Sequence, residues 1–130
     1  MRILVVEDSR FLRMAIERAL AKAGETVSTA GDGEQGLRAA RETIPDLVLL
    51  DMMLPKISGL DVLRKLKQDP VTKNIPIIAL SGLSERNKEK VLGEGAAAFI
   101  EKSDSLLENH SAALLEAIAR VNQRTAVTKV

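Results

Sequence analysis

A chain of 130 residues, 45% hydrophobic and 28% charged with a formal net charge of +1, holds one domain of ordinary size and excludes a second. That balance also excludes a disordered polar chain and a strongly basic nucleic-acid surface, so direct nucleic-acid binding is not expected. With no cysteine there are no disulfides and no thiolate metal sites; the apolar runs are too short to span a bilayer, and no signal peptide precedes the first strand-like residues, so a cytoplasmic protein without membrane association is expected.

Ile3 to Val6 is a continuous apolar run ending in Glu7-Asp8, with Ser9 placed to cap a following helix. Phe11, Leu12, Ala15, Ile16, Ala19, Leu20 and Ala23 recur at helical spacing as one inward stripe, and Gly24 suits the left-handed residue after the helix. Glu25 to Ala30 is short and polar, as expected of an edge strand. Gly31-Asp32-Gly33 turns into a helix with Leu37, Ala40 and Ile44 facing inward, stopped by Pro45. Leu47-Val48-Leu49-Leu50 has no polar face and reads as a strand covered on both sides, with Asp51 at its end.

Pro55 and Gly59 bracket a loop, and Leu60, Leu63 and Leu66 define a helix that ends before Pro70. Ile77 to Leu80 is another buried run, closing on Ser81. Ser84 is placed to cap a helix from Glu85 to Glu94, whose only substantial apolar residues are Val91 and Leu92. A last strand, Ala97 to Glu101, ends in Lys102. A final helix carries Leu107, Leu114, Ile118 and Val121 on one stripe. The domain is expected over residues 1–122, with 123–130 a polar, frayed tail or the start of a linker.

Strands alternating with helices imply parallel pairing through right-handed crossovers. The most apolar strands belong in the middle and the polar second strand at an edge. This predicts a flavodoxin-like doubly wound α/β fold, a five-stranded parallel sheet of order 2-1-3-4-5 with five helices. Its switch point lies between the first and third strands and brings Glu7, Asp8 and Asp51 together. Three carboxylates in one crevice repel one another and call for a cation. The candidates are Mg²⁺, which prefers oxygen ligands, and Lys102 at the end of the fifth strand, while Ser81 adds a hydroxyl. Such a set suits phosphoryl transfer to an aspartate: the carboxylate attacks phosphorus while cations neutralise the phosphoryl oxygens.

From Ile3 to about Val121 the chain resembles the receiver domains of two-component response regulators, including the stand-alone chemotaxis type. The resemblance implies that Glu7 and Asp8 bind Mg²⁺ with Asp51 and the backbone carbonyl of Met53. It further implies that Asp51 is the phosphoacceptor, Ser81 the switch hydroxyl, Lys102 the family's lysine and Phe99 the aromatic of the output face. A histidine kinase or histidine phosphotransfer protein would then be the phosphodonor. A protein target would bind the face made by the fourth helix, fifth strand and fifth helix. Such a domain signals, and catalyses only its own phosphorylation and dephosphorylation.

Three features refine this expectation. Ser103 stands where the family usually has proline after the lysine, and a cis Lys102–Ser103 peptide is the expected form despite its cost of about 2.5 to 4 kcal/mol. Met53 and Leu83 lie two positions beyond Asp51 and Ser81, at positions that in receivers flank the water path, and being apolar should lengthen the life of the acyl phosphate. Gly82 leaves space over Asp51 for a donor histidine. Arg10, Arg13 and Ser103-Asp104-Ser105 are read as the kinase-contacting rim, and His110 as a half-exposed residue of the last helix.

Gly31 to Gly36 matches the dinucleotide pattern G-x-G-x-x-G, but it follows a polar edge strand, and Asp32 and Glu34 would oppose a pyrophosphate. The competing functions are a Mg²⁺-dependent phosphohydrolase working through an aspartyl phosphate and a pseudo-receiver scaffold. Met53 stands where such hydrolases commonly place a second acidic acid/base residue. The scaffold is disfavoured because every acidic and basic site residue is present.

Overall fold

Apolar runs become strands here because helices cover both faces of the sheet. The structure is a computed structural model that describes residues 1–82, 88–102 and 112–128. Five parallel strands, β1 (Arg2–Val6), β2 (Thr26–Ala30), β3 (Leu47–Asp51), β4 (Ile77–Ser81) and β5 (Ala98–Glu101), lie in the order β2-β1-β3-β4-β5. Every residue of β3 and β4 is buried, whereas β2 is largely exposed at its edge. The order expected from burial is the order observed.

The helices among the described residues are α1 (Arg10–Lys22), α2 (Gly33–Thr43), α3 (Gly59–Gln68), α4 (Lys88–Gly93) and α5 (Ala112–Thr128). Strand alternation splits the interior into two cores. On one side Leu4, Val6, Val48, Leu50, Ile77 and Ala79 pack with Ala40 of α2, Val62, Leu63 and Leu66 of α3, and Val91 of α4. On the other Ile3, Val5, Leu49, Ile78 and Leu80 pack with Ile16 and Leu20 of α1 and Leu114, Ile118 and Val121 of α5. Each fully buried Leu or Ile contributes about 1.5 to 3 kcal/mol, so these layers dominate the stability.

Ser9, Asp32 and Ser58 cap α1, α2 and α3, each side chain accepting from the N–H three residues on. A cap of this kind is worth about 1 kcal/mol. Gly24 has the expected left-handed conformation, with φ 94°. Glycines 33 and 36 are packing residues: a Cβ at Gly33 would stand 2.8 Å from Val62 Cγ2, and one at Gly36 2.9 Å from Val6 Cγ1. This accounts for two glycines of the dinucleotide-like pattern without a ligand.

Several expectations are corrected. Phe11 does not face the core; it is 75% exposed, because five residues from Ile16 is about 140° around a helix. Ile44 is also exposed, since it caps α2 with φ 43° instead of extending it, and the Arg2 guanidinium donates to the carbonyls of Thr43 and Ile44. Glu25 and Ala97 precede β2 and β5 and do not belong to them. The backbone of the last helix runs to Thr128. Leu83, Ser84, Arg86, Leu107 and His110 lie outside the described residues, as does Ser103-Asp104-Ser105, and with it the Lys102–Ser103 peptide. No helix of the described residues is long and apolar enough to cross a membrane.

Candidate functional site

Parallel strands in register place their carboxyl ends in one row. Val6 pairs with Leu50, Asp51 with Leu80 and Ser81 with Glu101, so Glu7, Asp51, Ser81 and Lys102 all emerge at the same edge of the sheet. Glu7 and Asp51 are buried there, and Asp8 is exposed. Oxygens of the three carboxylates lie within 4.8 Å of one another.

The Lys102 ammonium joins this group. Its Nζ is 2.8 Å from Glu7 Oε2 and 3.0 Å from Asp51 Oδ2. The Lys102 N–H donates to the Ser81 carbonyl at 2.7 Å, which aims the side chain back over the sheet edge. The main chain contributes as well: the Met53 N–H donates to Asp51 Oδ1 at 2.9 Å, and the Ser9 N–H to Glu7 Oε1 at 3.1 Å. Burial and the neighbouring Asp51 push the Glu7 carboxyl above its ordinary pKa, although Lys102 opposes them. Burial alone would lower the Lys102 pKa, but Glu7 and Asp51 outweigh it and hold the ammonium above the ordinary lysine value.

The donor set fits Mg²⁺. Its ligands are hard oxygens, and two ligands of one ion at about 2.0 to 2.1 Å lie at most about 4.2 Å apart, close to the span of the three carboxylates. Glu7 Oε2 is sealed from solvent and faces the Lys102 ammonium at 2.8 Å, and a carboxylate oxygen with two lone pairs retains capacity for a second cation. Asp51, Glu7 and Asp8 thus form the expected cluster, and Lys102 reaches it.

Ser81 is buried, on the strand next to Asp51, and Met53 is 54% exposed two residues beyond Asp51. Gly82 is exposed, and a Cβ there would meet no atom of the described residues within 4 Å. Phe99 is half-buried; its strand partner is Ala79, and it packs against the core that contains Val91 of α4. Ser81 and Phe99 therefore follow the same face of adjacent strands.

Two supports of the site were not legible in the sequence. Gly59 lies against the end of β3, where a Cβ would overlap the Asp51 carbonyl oxygen and Met52 Cα. Its only sequence signal is glycine at the close of a loop. Arg13, read as part of an outer rim, is half-buried and turns inward, its Nη1 donating to the Glu7 carbonyl oxygen at 2.9 Å. The helical spacing of α1 carries no signal for that contact.

Comparison with known proteins agrees with this geometry. The family described as response regulator receiver domain matches residues 3–119, and the chain belongs to that family. Response regulator PleD of Caulobacter vibrioides is 40% identical over 102 residues, 78% of this chain and 22% of PleD. The probable transcriptional regulatory protein TcrX of Mycobacterium tuberculosis is 36% identical over 130 residues, 98% of this chain and 52% of TcrX. The chain thus spans only part of these relatives. The crystal structure of a response regulator from Desulfuromonas acetoxidans superimposes with a TM-score of 0.82 at 31% identity, covering 94% of this chain and 96% of that one. Receiver domains are signalling domains of two-component systems that are activated by phosphorylation, take their phosphoryl group from a histidine kinase and bind Mg²⁺ at an acidic pocket.

Proposed function

We propose that Asp51 is the phosphoacceptor of this receiver. The observation that carries the reading is the Lys102 ammonium held between the buried Glu7 and Asp51 carboxylates, with Asp8 completing the acidic cluster. Asp51 attacks the phosphorus of a partner's phosphohistidine; the P–N bond breaks and its electron pair returns to the imidazole. No general base is needed, because the carboxylate is already charged. Lys102 neutralises a phosphoryl oxygen as charge arrives, and the Met53 N–H holds the carboxylate's orientation. Glu7, Asp8, Asp51 and the Met53 carbonyl would hold Mg²⁺, which would screen the repulsion between the carboxylates and the incoming phosphoryl group.

In the phosphorylated state the Ser81 hydroxyl binds a phosphoryl oxygen, and Phe99, diagonal to it on the same face, repacks with α4. The supporting observation is the slight anchorage of α4, in which Val91 is the one buried residue. The output is altered affinity for a protein at the face of α4, β5 and α5. Met53, with Leu83, shields the acyl phosphate from water and prolongs the signal. The Met53→Asn, Leu83→Glu double variant should lose phosphate faster than the parent; equal rates would refute the shielding role.

The central test is incubation with Mg²⁺ and acetyl phosphate or beryllofluoride. The amide spectrum of the parent should change and that of Asp51→Asn should not. No response in either protein would overturn the assignment.

A further inference from the structure

We propose that Arg13 is a positioning residue for the acidic pair, and that Gly31 is glycine in order to admit it. The inference rests on the reading of Glu7, Asp8 and Asp51 as a divalent-cation site, and concerns what aims those side chains. Arg13 lies in the first turn of α1, its N–H bonded to the Ser9 carbonyl at 2.8 Å. Its Nη1 donates at 2.9 Å to the carbonyl oxygen of Glu7, the oxygen of the peptide that links Glu7 to Asp8. The other side of Glu7 is held by β2, since the Glu7 N–H donates to the Ala30 carbonyl at 3.1 Å.

The main chain of Glu7 is thereby fixed on both sides, and the orientation of the following peptide decides where both carboxylates point. Glu7 goes into the buried crevice and Asp8 to its exposed mouth, yet their oxygens and that of Asp51 remain within 4.8 Å. A peptide free to rotate would swing Asp8 away from Asp51, since like charges gain by separating. The cationic guanidinium on the carbonyl opposes that rotation. Its planar fork does so with a fixed geometry that the flexible, point-like charge of a lysine lacks.

Gly31 gives the guanidinium its place. A Cβ at Gly31 would stand 3.2 Å from Arg13 Nη1. The φ of Gly31 lies outside the left-handed region, so the backbone does not require glycine there, and a Cβ would act by displacing the guanidinium a few tenths of an ångström. The first glycine of the dinucleotide-like pattern is thus tied to the acidic site through Arg13.

The test is Mg²⁺ affinity, measured by titration calorimetry with the Glu7 and Asp8 amide resonances followed in parallel, on folded protein well below its unfolding temperature. Arg13→Met, which keeps the stem and removes the donor, should weaken Mg²⁺ binding roughly tenfold, the low end for contacts that orient metal ligands. Gly31→Ala should weaken it in the same direction by less, and the double variant should bind no worse than Arg13→Met alone, because Gly31 acts through Arg13. Arg13→Lys should recover only part of the loss. Arg38→Met, on an exposed arginine of α2, should match the parent. Parental affinity in Arg13→Met, or additive losses in the double variant, would overturn the proposal. If Arg13→Met does not fold, parental affinity in Gly31→Ala would overturn it. A parent that binds no Mg²⁺ would instead overturn the cation-site reading beneath it.

Discussion

The Lys102 ammonium stands 3.0 Å from the Asp51 carboxylate, so the side chain proposed to attack phosphorus is already paired with the one proposed to neutralise the arriving charge. The same ammonium is 2.8 Å from Glu7, and both carboxylates are sealed from solvent. One cation therefore serves two buried anions.

Lys102→Met keeps the stem and removes that cation. Breaking a buried ion pair by deleting one partner costs about 3 to 5 kcal/mol, and partial exposure of Lys102 argues for the lower end, about 3 kcal/mol. Urea unfolding in metal-free buffer should show the loss, and millimolar Mg²⁺ should restore more stability to the variant than it adds to the parent. Equal gains would show that the metal and the lysine do not share a site.

Arg64 of α3 reaches across to Glu94, just beyond α4, at 3.0 Å. The hydrogen bond from Arg64 holds the Glu94 carboxyl below the usual glutamate range. A lowered carboxylate pKa contributes stability above the unfolded-state value, and that contribution is lost as pH falls through the folded-state value. Parent protein should therefore be more stable than Glu94→Gln at neutral pH, and the difference should close on acidification below about pH 4. Added salt should narrow it too, because the pair is at the surface. A gap that widens in acid would contradict the pairing.

Gly36 and Gly93 both lie in helices but should respond oppositely to alanine. Alanine favours a helix over glycine by about 0.8 to 1 kcal/mol. At Gly36 the new Cβ would meet the Val6 methyl carbons at 2.9 Å, and overpacking of this kind costs about 1 to 3 kcal/mol. Packing should win, with a net loss of about 1 kcal/mol. At Gly93 no atom of the described residues lies within 4 Å, so Gly93→Ala should gain about 0.5 kcal/mol, less than the full propensity because it is the last residue of α4. Thermal unfolding of the two variants checks both signs.

Gly59→Ala should be the more damaging glycine change. Its Cβ would overlap main-chain atoms of Asp51 and Met52, which cannot yield as a side chain does. A destabilisation of about 3 kcal/mol, the upper end for overpacking, is expected in urea unfolding. The Asp51 and Met53 amide resonances should also shift, since the Gly59 N–H is bonded to the Met52 carbonyl at 3.2 Å. A variant with parental stability and unchanged resonances would show that Gly59 does not support the end of β3.

Much of this protein was determined by the sequence alone, for a local reason. A strand covered on both faces must be apolar at consecutive positions, so Ile3 to Val6, Leu47 to Leu50 and Ile77 to Leu80 declared themselves. The acids and the lysine that end such runs had to meet once the strands lay parallel and in order. The cap of α1 was legible too, because Ser9 acts on an N–H group three residues away.

The tertiary structure decided what depends on approach between distant segments. Phe11 differs from Leu12 by a single position, yet one is exposed and the other packs against a core; which way the stripe faces is set by the sheet beneath α1. The inward turn of Arg13, the room left by Gly31 and the closeness of Gly59 to β3 have no periodicity to announce them. Whether Lys102 pairs with Asp51 alone or with Glu7 as well followed only from the register of five strands, because a contact of 3 Å is fixed by packing and not by spacing along the chain.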